Sequence, residues 1–352
     1  MIRWPLILVF VALTIVAWGI YGPTLHVGQE AMGNSKWRPF ACVGMAYFLV
    51  AVIVPLAMMT TRREVGKWTL AGVMWSLLAG AVGAVGALGI IFAFKFGGKP
   101  IFVMPIVFGG APVINTIVTM WLTKSVGKVG PLFLAGVVLV AAGASGVLVF
   151  KPKPVKPPAM ESVTMAASEE SVHESEPSTW WIGTLLSVLV TVACWGCYGP
   201  TLHKGQTKME GSRLRPFLCV GVAYFLIAVI VPVLILVSSS EPGEWTIPGL
   251  AWSLGAGVAG AVGALGIIMA FNYGGKPVFV MPLVFGGAPV INTWTSLTKA
   301  TFGDMQLASP GIMFFASLLG VIVGAVCVLV FAPKGAPKPS EHAEERAPAS
   351  SS

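Results

Sequence analysis

Trp18-Gly19-Ile20-Tyr21-Gly22-Pro23-Thr24-Leu25-His26 returns 177 residues later as Trp195-Gly196-Cys197-Tyr198-Gly199-Pro200-Thr201-Leu202-His203. The register holds without a gap until Asn115-Thr116 meets Asn292-Thr293, and 66 of the 100 positions from Ala17 to Thr116 are identical to their partners. One hydrophobic unit carried twice in a polypeptide is the pattern of transporters built from internal repeats, whose site lies where the halves meet.

Outward from that repeat, the 352-residue chain is 56% hydrophobic and 10% charged, with mean hydropathy +0.84. A soluble domain carries roughly 25% charged residues, so this is the composition of an integral membrane protein. Ten apolar stretches approach the ~20 residues that cross a bilayer: 4–28, 39–59, 69–94, 100–122 and 131–150, then 180–204, 216–237, 246–271, 277–298 and 309–331. The alternating, roughly ten-residue pattern of a barrel is absent, and backbone amides in lipid must be satisfied within their own segment. The expected fold is all-α, with ten transmembrane helices arranged as two inverted five-helix repeats. Residues 1–150 hold the first repeat and 180–332 the second. Between them 151–179, rich in Pro and Lys and then in Ser and Glu, reads as a disordered linker, and 333–352 reads as a disordered tail. Arg3 ahead of an apolar run resembles a signal peptide, but the counterpart at 180–204 lies mid-chain, which favours a retained helix.

The net charge of +8 comes from residues scattered through short loops, not from a basic stripe, so no nucleic-acid partner is expected. Placing the N-terminus in the cytoplasm assigns 14 of the 22 Lys and Arg residues to that side. That bias predicts a multi-pass protein of the plasma membrane with both termini cytoplasmic, against which Lys151, Lys153 and Lys156 count. The loop from Thr60 to Trp68 carries Arg62, Arg63 and Lys67, whereas its repeat from Val237 to Trp245 carries Glu241 and Glu244 and neither Lys nor Arg. Five helices per copy put equivalent loops on opposite faces, and this exchange of charge is what inversion needs.

The third helix of each copy is lined by small residues, Gly80, Gly83, Gly86 and Gly89 echoed by Gly257, Gly260, Gly263 and Gly266. They either let helices approach closely or thin a wall beside a substrate path. The fourth helix and its repeat carry Pro105, Gly109, Gly110 and Pro112, then Pro282, Gly286, Gly287 and Pro289. Interior prolines remove helical hydrogen bonds, so these segments read as helix breaks offering backbone groups to a polar ligand, or as packing kinks. No Asp or Glu falls within the ten spans, which removes the commonest proton relay and the natural partner of a cationic drug.

The polar candidates are neutral or basic. Trp18 with Tyr21, and Trp195 with Tyr198, are three apart and share a helix face, either stacking on a ligand or forming an interfacial belt. Asn115 with Thr116, and Asn292 with Thr293, are the deeper ligand candidates. His26 and His203 can carry a coupling proton or serve as interfacial hydrogen-bonding groups. Lys99 and Lys276 can anchor an anionic group or snorkel to the surface. Cys194 and Cys197 have C-x-x-C spacing, but inside a helix and against Ala17 and Ile20 in the other copy, so they read as packing residues. No enzyme, cofactor or metal is expected.

Two five-helix repeats, the Trp-Gly pair in the first helix of each (Trp18-Gly19, Trp195-Gly196), and a small-residue third helix turning tightly into a proline-bearing fourth (Gly97 to Pro105, Gly274 to Pro282) together resemble the drug/metabolite transporter superfamily, in its EamA-like ten-helix branch. The resemblance covers nearly all of both halves. It implies an inverted-repeat bundle, cytoplasmic termini, a central cavity lined by both halves and alternating access. That family often carries a Glu after the fourth helix, where this sequence has Thr123-Lys124 and Thr298-Lys299. The expected function is secondary or facilitated transport of a small polar metabolite, neutral or anionic, with sugar-like compounds ahead. The alternative is a non-transporting structural or sensory membrane protein. The expected partners are a small-molecule substrate, the lipid bilayer and a coupling proton.

Overall fold

The computed structural model describes residues 3–61, 64, 66–122, 124, 129–150, 152, 177–275, 277–297 and 310–332. Lys276, most of the expected linker and the tail lie outside the described residues. Ten long helices follow the ten apolar stretches: α1 Trp4–Ala31, α2 Trp37–Thr61, α3 Leu70–Lys95, α4 Pro100–Leu122, α5 Pro131–Val149, α6 Pro177–Lys208, α7 Leu214–Ser238, α8 Ile247–Asn272, α9 Pro277–Leu297 and α10 Ile312–Val330. All but α9 meet a criterion of length and hydropathy for crossing a membrane, and α9 has 21 residues and the same place in the second copy as α4 in the first. The chain is a multi-pass helical membrane protein.

Local chemistry sets the helix ends. Thr69 and Thr246 cap α3 and α8 by accepting from the amides of Gly72 (3.0 Å) and Gly249 (3.1 Å). Each threonine hydroxyl also donates 2.8 Å to the end of the other copy's first helix, at Lys208 O and Ala31 O. α3 and α8 stop at Gly97 and Gly274, whose positive φ of 81° and 95° is open to glycine without strain. The next amides, Gly98 and Gly275, then reach back to Ala93 O and Ala270 O at 2.8 and 2.9 Å, closing a tight turn into α4 and α9.

The largest packing surfaces join one copy to the other. α1 lies on α8, α6 on α3, α2 on α7, and α5 on α10. The glycines of the third helices seat the first helices: a Cβ on Gly86 or Gly263 would run into the Trp195 or Trp18 indole, and one on Gly89 or Gly266 into the Thr191 or Thr14 hydroxyl. Trp18 Nε1 donates to Gly260 O at 3.1 Å and Trp195 Nε1 to Gly83 O at 3.2 Å, while Thr14 and Thr191 reach Gly263 O (3.0 Å) and Gly86 O (3.1 Å). From Thr14 to Ala31 along α1 the partners descend from Gly263 to Thr246 along α8, so the two helices run antiparallel, and α6 does the same on α3.

Reciprocity extends to the loops. The carboxylate of Glu241 accepts from Ser35 Oγ (2.6 Å), Lys36 N (2.7 Å) and Arg38 Nη1 (3.4 Å) at the start of α2. Glu64 accepts from Ser212 Oγ (2.8 Å), Leu214 N (2.6 Å) and Arg215 Nη1 (3.5 Å) at the start of α7. An acidic group at a helix N-terminus satisfies orphan amides and the helix dipole together. One element breaks the correspondence: Leu226–Ile230 of α7 forms a π turn ahead of Pro232, whereas α2 stays α-helical around its Pro55.

Candidate functional site

Among the described residues, three aromatic residues meet their own repeat mates. Tyr47 stacks on Tyr224 with ring centroids 3.9 Å apart and planes 7° apart, Phe48 lies 4.7 Å from Phe225, and Phe108 lies 6.2 Å from Phe285. Four of the chain's five tyrosines gather here. The Tyr47 and Tyr198 hydroxyls face each other, and Tyr21 lies 6.0 Å from the Trp195 ring. Gly260 leaves room for Tyr21 and Tyr47, and Gly83 does so for Tyr198 and Tyr224. The Tyr21 hydroxyl is buried and has no hydrogen-bond partner among the described residues.

On one side of this cluster the α1–α4 end is closed. His26 Nδ1 lies 3.2 Å from Glu30 Oε2, Lys99 Nζ lies 3.1 Å from Glu30 Oε1 and 3.3 Å from His26 Nε2, and Phe94 packs edge-on to the imidazole at 5.1 Å. Gln29 donates to Ile91 O at 3.0 Å, Asn292 donates to Pro100 O at 2.9 Å, and Met104 fills the space beside Gly22. The Oδ1 of Asn292 is buried without a partner among the described residues. Sequence reading ended the first span at residue 28 and placed no carboxylate within any span. The structure corrects this, because α1 continues to Ala31 with Glu30 in its last turn, where Lys99 and His26 offset its charge.

At the matching α6–α9 end the equivalent described residues are more exposed. Tyr198, Leu202, Gln206 and Asn115 are half-buried and His203 is exposed, whereas Tyr21, Leu25, Gln29, Asn292 and His26 are all buried. α1 also packs on α3 and α4 of its own copy, and among the described residues α6 makes no such contact with α8 or α9. At this end Thr119 donates to Asn115 Oδ1 at 3.4 Å and Lys204 sits 4.0 Å over the Trp75 ring.

The remaining candidates fall into place as follows. Trp18 and Trp195 join α1 to α8 and α6 to α3 through their indole N–H groups. Thr116 is buried and donates 2.9 Å to Pro112 O, and Thr293 is buried with its hydroxyl unpartnered. Pro105 and Pro112 lie inside an unbroken α4, and Pro282 and Pro289 inside an unbroken α9, so the expected helix breaks are not interruptions. Neighbouring helices hold such segments in shape despite the missing hydrogen bonds. Their glycine pairs are contact points: Gly110 abuts Val192 of α6, Gly287 abuts Ile15 of α1, and Gly109 and Gly286 face α10. Sequence reading passed over Tyr47 and Tyr224; the available signal was a tyrosine retained in both copies of an otherwise apolar second helix.

No protein-family model and no curated protein matches the chain. Solved structures do match. A crystal structure described only as that of a protein is similar with TM-score 0.53 and 15% sequence identity, over 94% of this chain and 98% of its own. A likeness at that identity is one of fold.

Proposed function

We propose that the protein is a transporter of a small polar metabolite, resembling the EamA-like drug/metabolite transporters, that works by alternating access between two inverted five-helix halves. The observation that carries the reading is the contrast between identical residues: His26 is 5% exposed and Asn292 0%, while His203 is exposed and Asn115 half-buried. Two copies of one sequence, one closed and one open around a shared axis, are what a single state of an alternating-access cycle requires.

Inversion is supported by the antiparallel run of α1 on α8 and of α6 on α3, together with the reversed charge of the loops around Arg62 and Glu241. With cytoplasmic termini, the α6–α9 end faces the cytoplasm and this state is inward-open. The polar groups around the axis are phenols, amides and hydroxyls, and Glu30 is held by Lys99. Such a lining suits a neutral, hydroxyl-rich substrate ahead of an anion, and offers no free carboxylate to a cation. The test is uptake by proteoliposomes across sugars, amino acids, organic acids and organic cations. Accumulation of sugars or related neutral compounds supports the reading, and selectivity for cations overturns it.

A further inference from the structure

Three groups meet at the closed end. Lys99, just before α4, donates to Glu30 at 3.1 Å and approaches His26 at 3.3 Å, and His26 reaches the second oxygen of Glu30 at 3.2 Å. The carboxylate is the centre of the set, because without it a buried imidazole and an ammonium would face each other with nothing between them. The repeat supplies the control. His203 stands at the position of His26 and Lys276 at that of Lys99, but the position of Glu30 is occupied by Thr207; Glu30 and Thr207 are both exposed, whereas His26 is buried and His203 is not. The end that keeps the carboxylate is the more buried, and the end that lacks it is the more exposed.

We infer that Glu30 is an ionic latch that holds the α1–α4 end closed in the empty protein, and that Thr207 leaves the α6–α9 end without one, so the chain rests with one chosen face open. This deepens the transport reading and rests on it, since it assigns the cycle its resting state. The bias belongs to the chain itself and needs no substrate.

The experiment reads conformation instead of flux. Leu25→Cys and Leu202→Cys, mirror positions that are buried at the closed end and half-buried at the open one, are placed singly on a cysteine-free background and labelled by a small maleimide without substrate. Leu202→Cys should react several-fold faster than Leu25→Cys. Adding Glu30→Gln should raise labelling at position 25 about tenfold and lower it at 202. Adding Thr207→Glu, at an exposed site that tolerates the change, should slow labelling at 202 and so bears on the latch even if the Glu30 variant does not fold. Exchange of the pair, Glu30→Lys with Lys99→Glu, should restore slow labelling at 25. Unchanged labelling in the Glu30→Gln and Thr207→Glu proteins overturns the latch whether or not the protein transports. Shifted labelling in a protein that moves no compound in the uptake panel keeps the latch and removes the transport reading.

Discussion

The α1–α4 and α6–α9 ends contain the same Tyr-Gly-Pro-Thr-Leu-His sequence and differ in burial at four of its six positions, while the hydrogen bonds that seat each first helix on the other copy's third are nearly identical on both sides. The indole-to-glycine hydrogen bonds differ by 0.1 Å, at 3.1 and 3.2 Å, and the bonds from the Thr69 and Thr246 hydroxyls to Lys208 O and Ala31 O by nothing at 2.8 Å. Not every contact between the copies is mirrored, since α10 also packs on α4 and among the described residues α5 makes no such contact with α9. At the two ends, the first helix packs on the third and fourth helices of its own copy only at the α1–α4 end among the described residues.

That division can be broken most severely at the seams. Leucine at Gly86 or at Gly263 should abolish folded protein, because a side chain there displaces the Trp195 or Trp18 ring; a loss above about 4 kcal/mol is the range of severe core disruption. Size-exclusion profiles in detergent check this, and a seam variant that folds normally would separate the tryptophans from the stability of the bundle. The loop clamps come next. Glu64→Ala and Glu241→Ala each remove the carboxylate that accepts from a nearly buried arginine and from helix amides, so each should cost about 3 kcal/mol, and by equal amounts if the clamps are independent of the two ends. Thermal unfolding followed by fluorescence measures both.

The asparagines sharpen the comparison further. Asn292→Ala loses the hydrogen bond to Pro100 O and should lower stability by about 1 kcal/mol, whereas Asn115→Ala should leave stability unchanged. Both should reduce transport at matched expression, and wild-type rates in both would move the site off α4 and α9. A small effect is expected for the hydrogen bond removed by Trp18→Phe or Trp195→Phe, which keep an aromatic ring but trade the indole for a smaller phenyl, about 0.6 kcal/mol apiece for the bond itself.

The ten spans and their boundaries were legible to within a few residues, because lipid imposes length and apolarity on every crossing segment. The site was less so. Hydropathy marks a segment and not which faces meet, so the stacking of Tyr47 on Tyr224 was invisible although both tyrosines stand in plain repeat register. Glu30 was missed for a related reason: a charge in the last turn of a helix looks like loop until its partner from α4 is known. Glu64 and Glu241 carried a readable signal, being the carboxylates retained in both copies of a loop whose other charges reverse. The π turn in α7 could not be read at all, since Leu-Val-Ala-Val-Ile-Val at 49–54 and Leu-Ile-Ala-Val-Ile-Val at 226–231 are almost the same words in two conformations.

The crossed seams also have a bearing on how the chain is made. α6 finds its partner α3 already made, whereas α1 meets α8 only after Ile247–Asn272 has been synthesised. Each copy also carries both sides of every clamp, the glutamate and the serine that receives it, the tryptophan and the glycine carbonyl that accepts from it. The surface of one copy is its own complement, as in an isologous dimer. Two separately expressed copies of residues 1–150 therefore have in each other the whole of the partner that the second half supplies, provided that they enter the membrane in opposite orientations.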